Sequence, residues 1–359
     1  MTMSDLDTSI GFSQGWAAWL VSQDISLATT SYKSGGLYIF GVKPRAGDSG
    51  LQPAVMQRFF DRSMGLGLSG NELWLATRTS VVKFARVTDP GVGFKDFDAL
   101  YLPRLNHFTG DIDAHEIGIR TDGSPLIVAT RLNCVVALDD RFTCNPVFRP
   151  AFISELRSED RCHLNGLAMR NGKLAYVSSV GVGDVFDSWR DLRHTSGVIL
   201  DAENGDIILD GLSMPHSPRL HDAGDGDRLY FLNSGYGKLC RFDPARGSSS
   251  LEEVCFLPGF LRGLAFHGNF AVVTASLPDN HSTEKLQFLE ELHRRNARPQ
   301  CGVFIIDLLS GSIVHSVKFT GQVTELFDVA ILPRVNRPYF VGLSNNEIAQ
   351  FHAFDQAHQ

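Results

Sequence analysis

No run of about 18 consecutive apolar residues occurs in the 359-residue chain, so no membrane-spanning helix is expected and no membrane partner is read. A basic surplus is also missing. The 33 Lys and Arg residues stand against 40 Asp and Glu, a formal charge of -7, which argues against nucleic acid as a partner. The opening residues Met1-Thr-Met-Ser-Asp-Leu-Asp7 carry neither a basic region nor an apolar core. They do not read as a secretory signal, and a cytoplasmic setting is expected. The six cysteines (Cys134, Cys144, Cys162, Cys240, Cys255, Cys301) form no CxxC or other zinc-like pair. They lie mostly in apolar runs and are expected to be reduced core thiols. Gly181-Val-Gly183 opens no GxGxxG motif, so no nucleotide cofactor is expected. Ser217 beside His216 lacks a GxSxG elbow. What is abundant is glycine, 34 residues, which suggests many tight turns.

The informative presence is a degenerate repeat. One copy is Asn165-Gly-Leu-Ala-Met-Arg-Asn-Gly-Lys-Leu-Ala-Tyr-Val-Ser-Ser179, and another is Arg262-Gly-Leu-Ala-Phe-His-Gly-Asn-Phe-Ala-Val-Val-Thr-Ala-Ser276. Further copies start at Met64 and Glu116, looser ones at Ser217 and Asp328, and the weakest at Trp16. Each is two short apolar strands around a polar turn, ending in small hydroxyl or amide residues. A third apolar strand follows, as in Cys134-Val-Val-Ala-Leu138, and a fourth is often visible. Four strands per unit predict a β-propeller blade. Seven units in 359 residues average about 51 each. The expectation is therefore an all-β chain forming a single closed β-propeller domain over residues 1–359, with seven blades, six being the alternative. The last unit stops after three strands near Phe354, and the segment around Ser9 to Ser13 is expected to supply its outer strand.

Two insertions interrupt the period. Residues 277–300 contain Glu284-Lys-Leu-Gln-Phe-Leu-Glu-Glu-Leu-His-Arg-Arg295, predicted as a short helix with Leu286, Leu289 and His293 on one face and Asn280 or Ser282 as its cap. Residues 180–195 carry Trp189, Arg190, Asp191, Arg193 and His194. Both are expected to leave from one face as lids.

In a propeller the innermost strands start at one mouth of the channel, and the second strands return there. Residues at those points converge. The strand starts bring His115, Glu116, His163, Asn165, His216, Arg262 and Asp328 together; the second-strand ends add Arg78 and Arg131. His115, His163 and His216, with Glu116, form a candidate ligand set for a divalent metal (Fe, Mn, Zn or Ca). Without metal, a histidine oriented by Glu116 or Asp328 would act as general base, so His115, Glu116, His163, His216 and Asp328 are the candidate catalytic residues. Arg78, Arg131, Asn165 and Arg262 are the candidate substrate-binding residues. Three guanidinium groups on one mouth of an acidic protein point to a small anionic ligand.

Asn165-Gly-Leu-Ala168 and Arg262-Gly-Leu-Ala265 resemble the calcium-dependent propellers of the gluconolactonase and senescence-marker type. That resemblance implies a channel metal held by Glu and Asn residues, and lactone hydrolysis. Over nearly the full length, Asp113-Ala-His-Glu116, Cys162-His-Leu-Asn-Gly166, Met214-Pro-His-Ser-Pro-Arg219 and Leu261-Arg-Gly-Leu264 resemble an uncharacterised bacterial β-propeller family. This second resemblance implies the fold and no reaction. The expectation is an enzyme whose channel binds an anionic substrate, by metal-assisted or acid–base hydrolysis, elimination or isomerisation. The alternative is a non-catalytic propeller binding a protein or peptide on its face, with Trp189 and Phe288 as exposed anchors. A second alternative is an iron oxygenase resembling four-histidine propellers, in which Arg262 occupies the place of the fourth histidine.

Overall fold

The computed structural model describes residues 7–47, 50–222, 224, 226–279, 283–343 and 346–353. The expectations placed on residues 1–6, Asn280, Ser282, Asn345 and Phe354 lie outside them. The strands form six sheets of four or five strands, antiparallel but for one edge strand, each a propeller blade. The innermost strands are Val329–Pro333 (blade 1), Leu66–Ser69 (blade 2), Ala114–Ile119 (blade 3), Leu164–Arg170 (blade 4), Pro215–Asp222 (blade 5) and Phe260–His267 (blade 6). Each touches the next in this order, and the last touches the first.

The expected seven blades are therefore corrected to six. The first and last copies of the repeat are two parts of one blade. The apolar run at Trp16, read as a strand, is helix α1 (Trp16–Gln23), which buries Trp16, Trp19 and Leu20. Blade 1 thus has no inner strand of its own from the N-terminal side. Val329–Pro333 fills the place, pairing antiparallel with Ile25–Ser31 from Ile25↔Pro333 to Thr29↔Val329. Downstream, Pro338–Phe340 adds a parallel edge strand to blade 2, and the stretch expected as a third strand at Asn346 contains a 3-10 turn at Ile348–Gln350. The N-terminal segment does supply an outer strand, Thr8–Phe12 against Ser312–Gly321, but as the fifth strand of blade 6.

The core explains why the strands read as continuous apolar runs. Side chains alternate across a strand, and here both faces are covered by neighbouring blades. In Pro125–Ala129, Ile127 and Ala129 pack toward Trp74 and Val81 of blade 2, whereas Leu126 and Val128 pack toward Leu164 and Val177 of blade 4. Six such clusters lie between successive blades, including Leu27 and Phe40 of blade 1 against Val303 and Ile305 of blade 6.

The hydroxyls that end the second strands join blades. Thr30 Oγ1 donates to Met64 O (2.6 Å), Thr130 Oγ1 to Leu164 O (2.6 Å) and Thr274 Oγ1 to Phe327 O (2.8 Å). Each satisfies a carbonyl at the start of the next inner strand. The repeated Gly-Leu has its own cause. A Cβ on Gly65 would sit 2.7 Å from His115 O, and one on Gly263 2.7 Å from Asp328 Cα, so the inner strands approach too closely for a side chain.

All six cysteines are free thiols, and burial raises Cys134 and Cys162 to about 12. The helical insertion forms α3 (Gln287–Arg294), after a four-residue helix α2 (Trp189–Leu192) in the earlier one. The buried face of α3 is Phe288 and Leu292, with Leu286 buried just before it. Of the expected face, Leu286 and Leu289 pack into the cluster of Phe288 and Leu292, whereas His293 is exposed. No helix is long and apolar enough to cross a membrane among the described residues.

Candidate active site

A cavity of about 380 Å³ opens at the mouth where the inner strands begin. It brings together His115, His163, His216 and Arg262 from four successive blades, with Tyr32, Phe327, Met64 and Met214 around them. The insertions reach it through Trp189, Arg190 and Asp279. Trp189 and Phe288, considered as exposed anchors for a protein partner, are only 2% and 0% exposed. They pack with Val180, Met214, Phe260 and Leu292 beneath the insertions.

Backbone geometry aims several of these groups. Arg62, Asp113, His163 and Met214 all line the cavity and all have positive φ (49–63°), outside the region that side chains favour. Each stands about two residues before a first-strand residue that faces the channel. Non-glycine residues in this conformation concentrate at functional sites.

The imidazoles are held by their Nδ1 atoms. His115 Nδ1 lies 3.0 Å from Asp113 O and 2.8 Å from Thr130 Oγ1. A carbonyl only accepts, and the Thr130 proton already goes to Leu164 O, so Nδ1 carries the hydrogen. His216 Nδ1 likewise donates to Met214 O at 2.9 Å. The neutral forms of both rings therefore present a bare Nε2, for which no hydrogen-bond partner exists among the described residues. Burial pushes the His115 pKa down to about 4, and burial with the Arg262 charge depresses His216 well below the usual imidazole range. Both are neutral at pH 7. His163 differs, since its Nδ1 is 2.7 Å from Asp160 Oδ2. Burial opposes the Asp160 charge, yet His163 outweighs it and holds that carboxyl below its usual range. The His163 ring stacks on Trp189 at 4.1 Å and meets His115 edge-on at 5.0 Å.

Arg262 is the wall cation that makes no salt bridge among the described residues. Its guanidinium carbon lies 5.3, 5.0 and 5.4 Å from the ring centres of Tyr32, Phe260 and Phe327. Its Nε is buried without a hydrogen-bond partner, and no carboxylate among the described residues makes a salt bridge with it. The rings hold the charge by cation–π attraction while leaving its donors open.

The remaining sequence-predicted residues lie elsewhere. Arg78 pairs with Asp61 at 3.3 Å on the surface, and Arg131 with Asp111 at 3.3 Å; neither lines the cavity. Expecting them there is corrected: surface carboxylates hold both outside the channel. Glu116, Asn165 and Asp328 sit deeper, off the cavity wall. Glu116 accepts from Ser217 Oγ (2.9 Å), Leu167 N (2.6 Å) and the Arg219 guanidinium. Asp328 accepts from Leu66 N (2.8 Å) and Val329 N (2.7 Å), and burial followed by the Glu116 charge lifts its pKa to about 7. Asn165 Oδ1 accepts from Ser178 Oγ at 2.8 Å. These groups brace the channel and orient no imidazole; the backbone carbonyls and Asp160 do that. The Glu–Asn metal set implied by resemblance does not fit, because protein donors take these oxygens and a guanidinium stands against Glu116. Among the described residues, no group of three or more His, Cys, Asp or Glu side chains is arranged to hold a metal ion.

Sequence reasoning missed Arg62, Asp160 and Glu325. Arg62 and Asp160 were readable by position, two or three residues before Met64 and His163. Glu325 is 2% exposed, accepts from Ser31 Oγ (3.1 Å) and Lys33 N (3.2 Å), and has its pKa raised by burial. Nothing in the pattern signalled it.

Blades, channel and mouth pocket define a six-bladed β-propeller with a histidine-lined site. The chain belongs to the family described as the domain of unknown function DUF4915, whose model matches residues 14–341. No curated protein matches the sequence. Among solved structures, the chain is similar to one in a nidogen/laminin complex, at 10% identity over 86% of this chain and 98% of that one, TM-score 0.53. It is also similar to a gluconolactonase from Xanthomonas campestris (12%, 87% and 93%, TM-score 0.47) and a virginiamycin B lyase from Staphylococcus aureus (12%, 88% and 99%, TM-score 0.37). At these identities the likeness concerns the fold.

Proposed function

We propose that the protein is an enzyme acting on a small anionic substrate at this mouth by acid–base chemistry, without a resident metal. The observation that carries the reading is Arg262, a cation with no carboxylate partner among the described residues, facing three imidazoles in one cavity. A buried charge is costly unless paired, so an open guanidinium in a small-molecule-sized cavity is a seat for an anion. His163, fixed by Asp160, is the general base: the carboxylate sets its tautomer and stabilises the imidazolium formed when Nε2 takes a proton. His115 and His216, neutral and fixed, accept hydrogen bonds from the substrate. Hydrolysis, elimination and isomerisation all use such proton transfers. The burial of Trp189 and Phe288 favours this reading over a protein-binding face, and Arg262 in the fourth histidine's place favours it over an iron oxygenase.

The test is thermal unfolding of wild type and Arg262→Met with a panel of small carboxylates, sulfate and phosphate, alongside elemental analysis. A ligand at about 100 times its Kd adds about 2.7 kcal/mol to the native state. Stabilisation by at least one anion that disappears in Arg262→Met is the expected result. Equal stabilisation of both proteins, or none from any anion, overturns the anion seat. Stoichiometric metal lost in His163→Ala overturns the metal-free part.

A further inference from the structure

The pocket's donors and acceptors select among anions. We propose that its ligand is a small hydroxycarboxylate monoanion, with its carboxylate on Arg262 and its hydroxyl donating to the bare Nε2 of His115 or His216. This rests on the anion reading above and narrows it.

The wall has room for little negative charge, since Asp160 lines it and the buried Glu325 lies near the Arg262 charge. The other cations of the wall are already matched: Lys33 with Asp279 at 3.3 Å, Arg62 with Asp113 at 2.6 Å and Arg190 with Asp187 at 2.6 Å. Among the described wall cations Arg262 alone makes no salt bridge, and it is left to face one negative group. A planar guanidinium suits a carboxylate.

The tautomers fix the rest. Because His115 and His216 give their hydrogens to Asp113 O and Met214 O, the nitrogen atoms facing the cavity are acceptors. Sulfate oxygens would meet lone pairs there, acceptor against acceptor. A hydroxyl supplies the donor those nitrogens lack. An ammonium group would also donate, but it would bring a second positive charge beside Arg262.

The reach is that of a small molecule. Phe260 touches both the Arg262 guanidinium (5.0 Å to the ring centre) and the His216 ring (5.5 Å), and Phe327 touches both Arg262 (5.4 Å) and His115 (5.3 Å). One aromatic ring thus separates the cation from each acceptor, and these rings, with Met64 and Met214, offer apolar contact to the ligand's carbon body.

Calorimetry at pH 7.5 with matched probes tests this. Phenyllactate is compared with 3-phenylpropionate, and mandelate with phenylacetate; each pair differs by one hydroxyl. Sulfate, which carries no O–H at this pH, is the donor-free control. The expected result is roughly tenfold tighter binding of the hydroxy acid in at least one pair, the worth of one well-placed hydrogen bond in a buried site, with sulfate weaker than either. The preference should collapse in His115→Phe or His216→Phe, which keep the ring shape and remove the acceptor. Equal affinity within both pairs, or tighter sulfate, overturns the hydroxycarboxylate assignment and leaves the anion seat standing, provided Arg262→Met still weakens the carboxylates. If no probe binds wild type, the anion reading falls with it. The wild-type comparison decides the matter even where a histidine variant does not fold.

Discussion

His115 offers the sharpest test of the pocket's electrostatics. Its folded pKa lies at about 4, against 6.5 for a free imidazole, chiefly because burial disfavours its charged form. The unfolded chain therefore takes up a proton more readily than the folded one between these values. Full stability is present above pH 6.5 and is lost as pH falls toward 4. The whole difference is worth about 3 kcal/mol, at about 1.4 kcal/mol per pH unit. By linkage, His115 alone removes about 1.4 kcal/mol by pH 5.5 and about 2.5 kcal/mol by pH 4.5. Asp328 works in the opposite sense, because a carboxyl with a raised pKa favours the folded state at low pH, so the wild-type profile alone does not isolate His115. His115→Asn does. Its amide keeps a donor near Asp113 O and does not titrate. Urea unfolding at pH 7.5, 5.5 and 4.5 is the assay. The gap between variant and wild type should shift in the variant's favour by the amounts given. Parallel profiles would show that His115 is not a neutral buried imidazole, and the tautomer argument for the pocket would fail.

Two further tests address the ring. Thr30→Val keeps the shape but removes the donor to Met64 O and the acceptor for Asp328 N (3.0 Å), both buried, and should cost about 1–3 kcal/mol by denaturation; a change under about 0.5 would mean that these hydroxyls do not join blades. Gly263→Ala places a methyl 2.7 Å from Asp328 Cα and should destabilise by about 1–3 kcal/mol, whereas Gly11→Ala meets nothing within 4 Å and should be near neutral; equal effects would refute the close approach of inner strands.

Much of the ring was legible because its constraints are local. A blade strand must be apolar on both faces, its turn needs Asn-Gly or Asp-Gly, and the second strand must end in a hydroxyl that reaches the next blade. All three occur together in the copy Glu116–Thr130, with its Asp122-Gly123 turn and Thr130 reaching Leu164 O. The blade number was not legible, because it depends on how the ends meet. Trp16-Ala-Ala-Trp-Leu-Val is a six-residue apolar run, within an eight-residue helix, with no period that separates helix from strand. Its assignment changes only when Val329–Pro333 claims the inner position of blade 1. A partner more than 300 positions away, and not local preference, decides it.

The site divides along the same line. His115, His163, His216 and Arg262 were found from register alone, because a propeller brings strand starts to one axis. Register does not say what a charged group faces. Glu116 precedes a strand interior exactly as a catalytic carboxylate would, yet Arg219, Ser217 and Leu167 N consume its oxygens. Arg78 and Arg131 share the mouth side with Arg262, yet Asp61 and Asp111 hold them outside. Asp160, which does orient a histidine, lies in a loop outside the repeat, where only its place three residues before His163 points to it. Position in the repeat therefore selects candidates, and the pairing of each charge decides among them. Arg262 is singled out by having aromatic rings around it and no salt bridge among the described residues, the buried Glu325 acting on it only as a nearby charge.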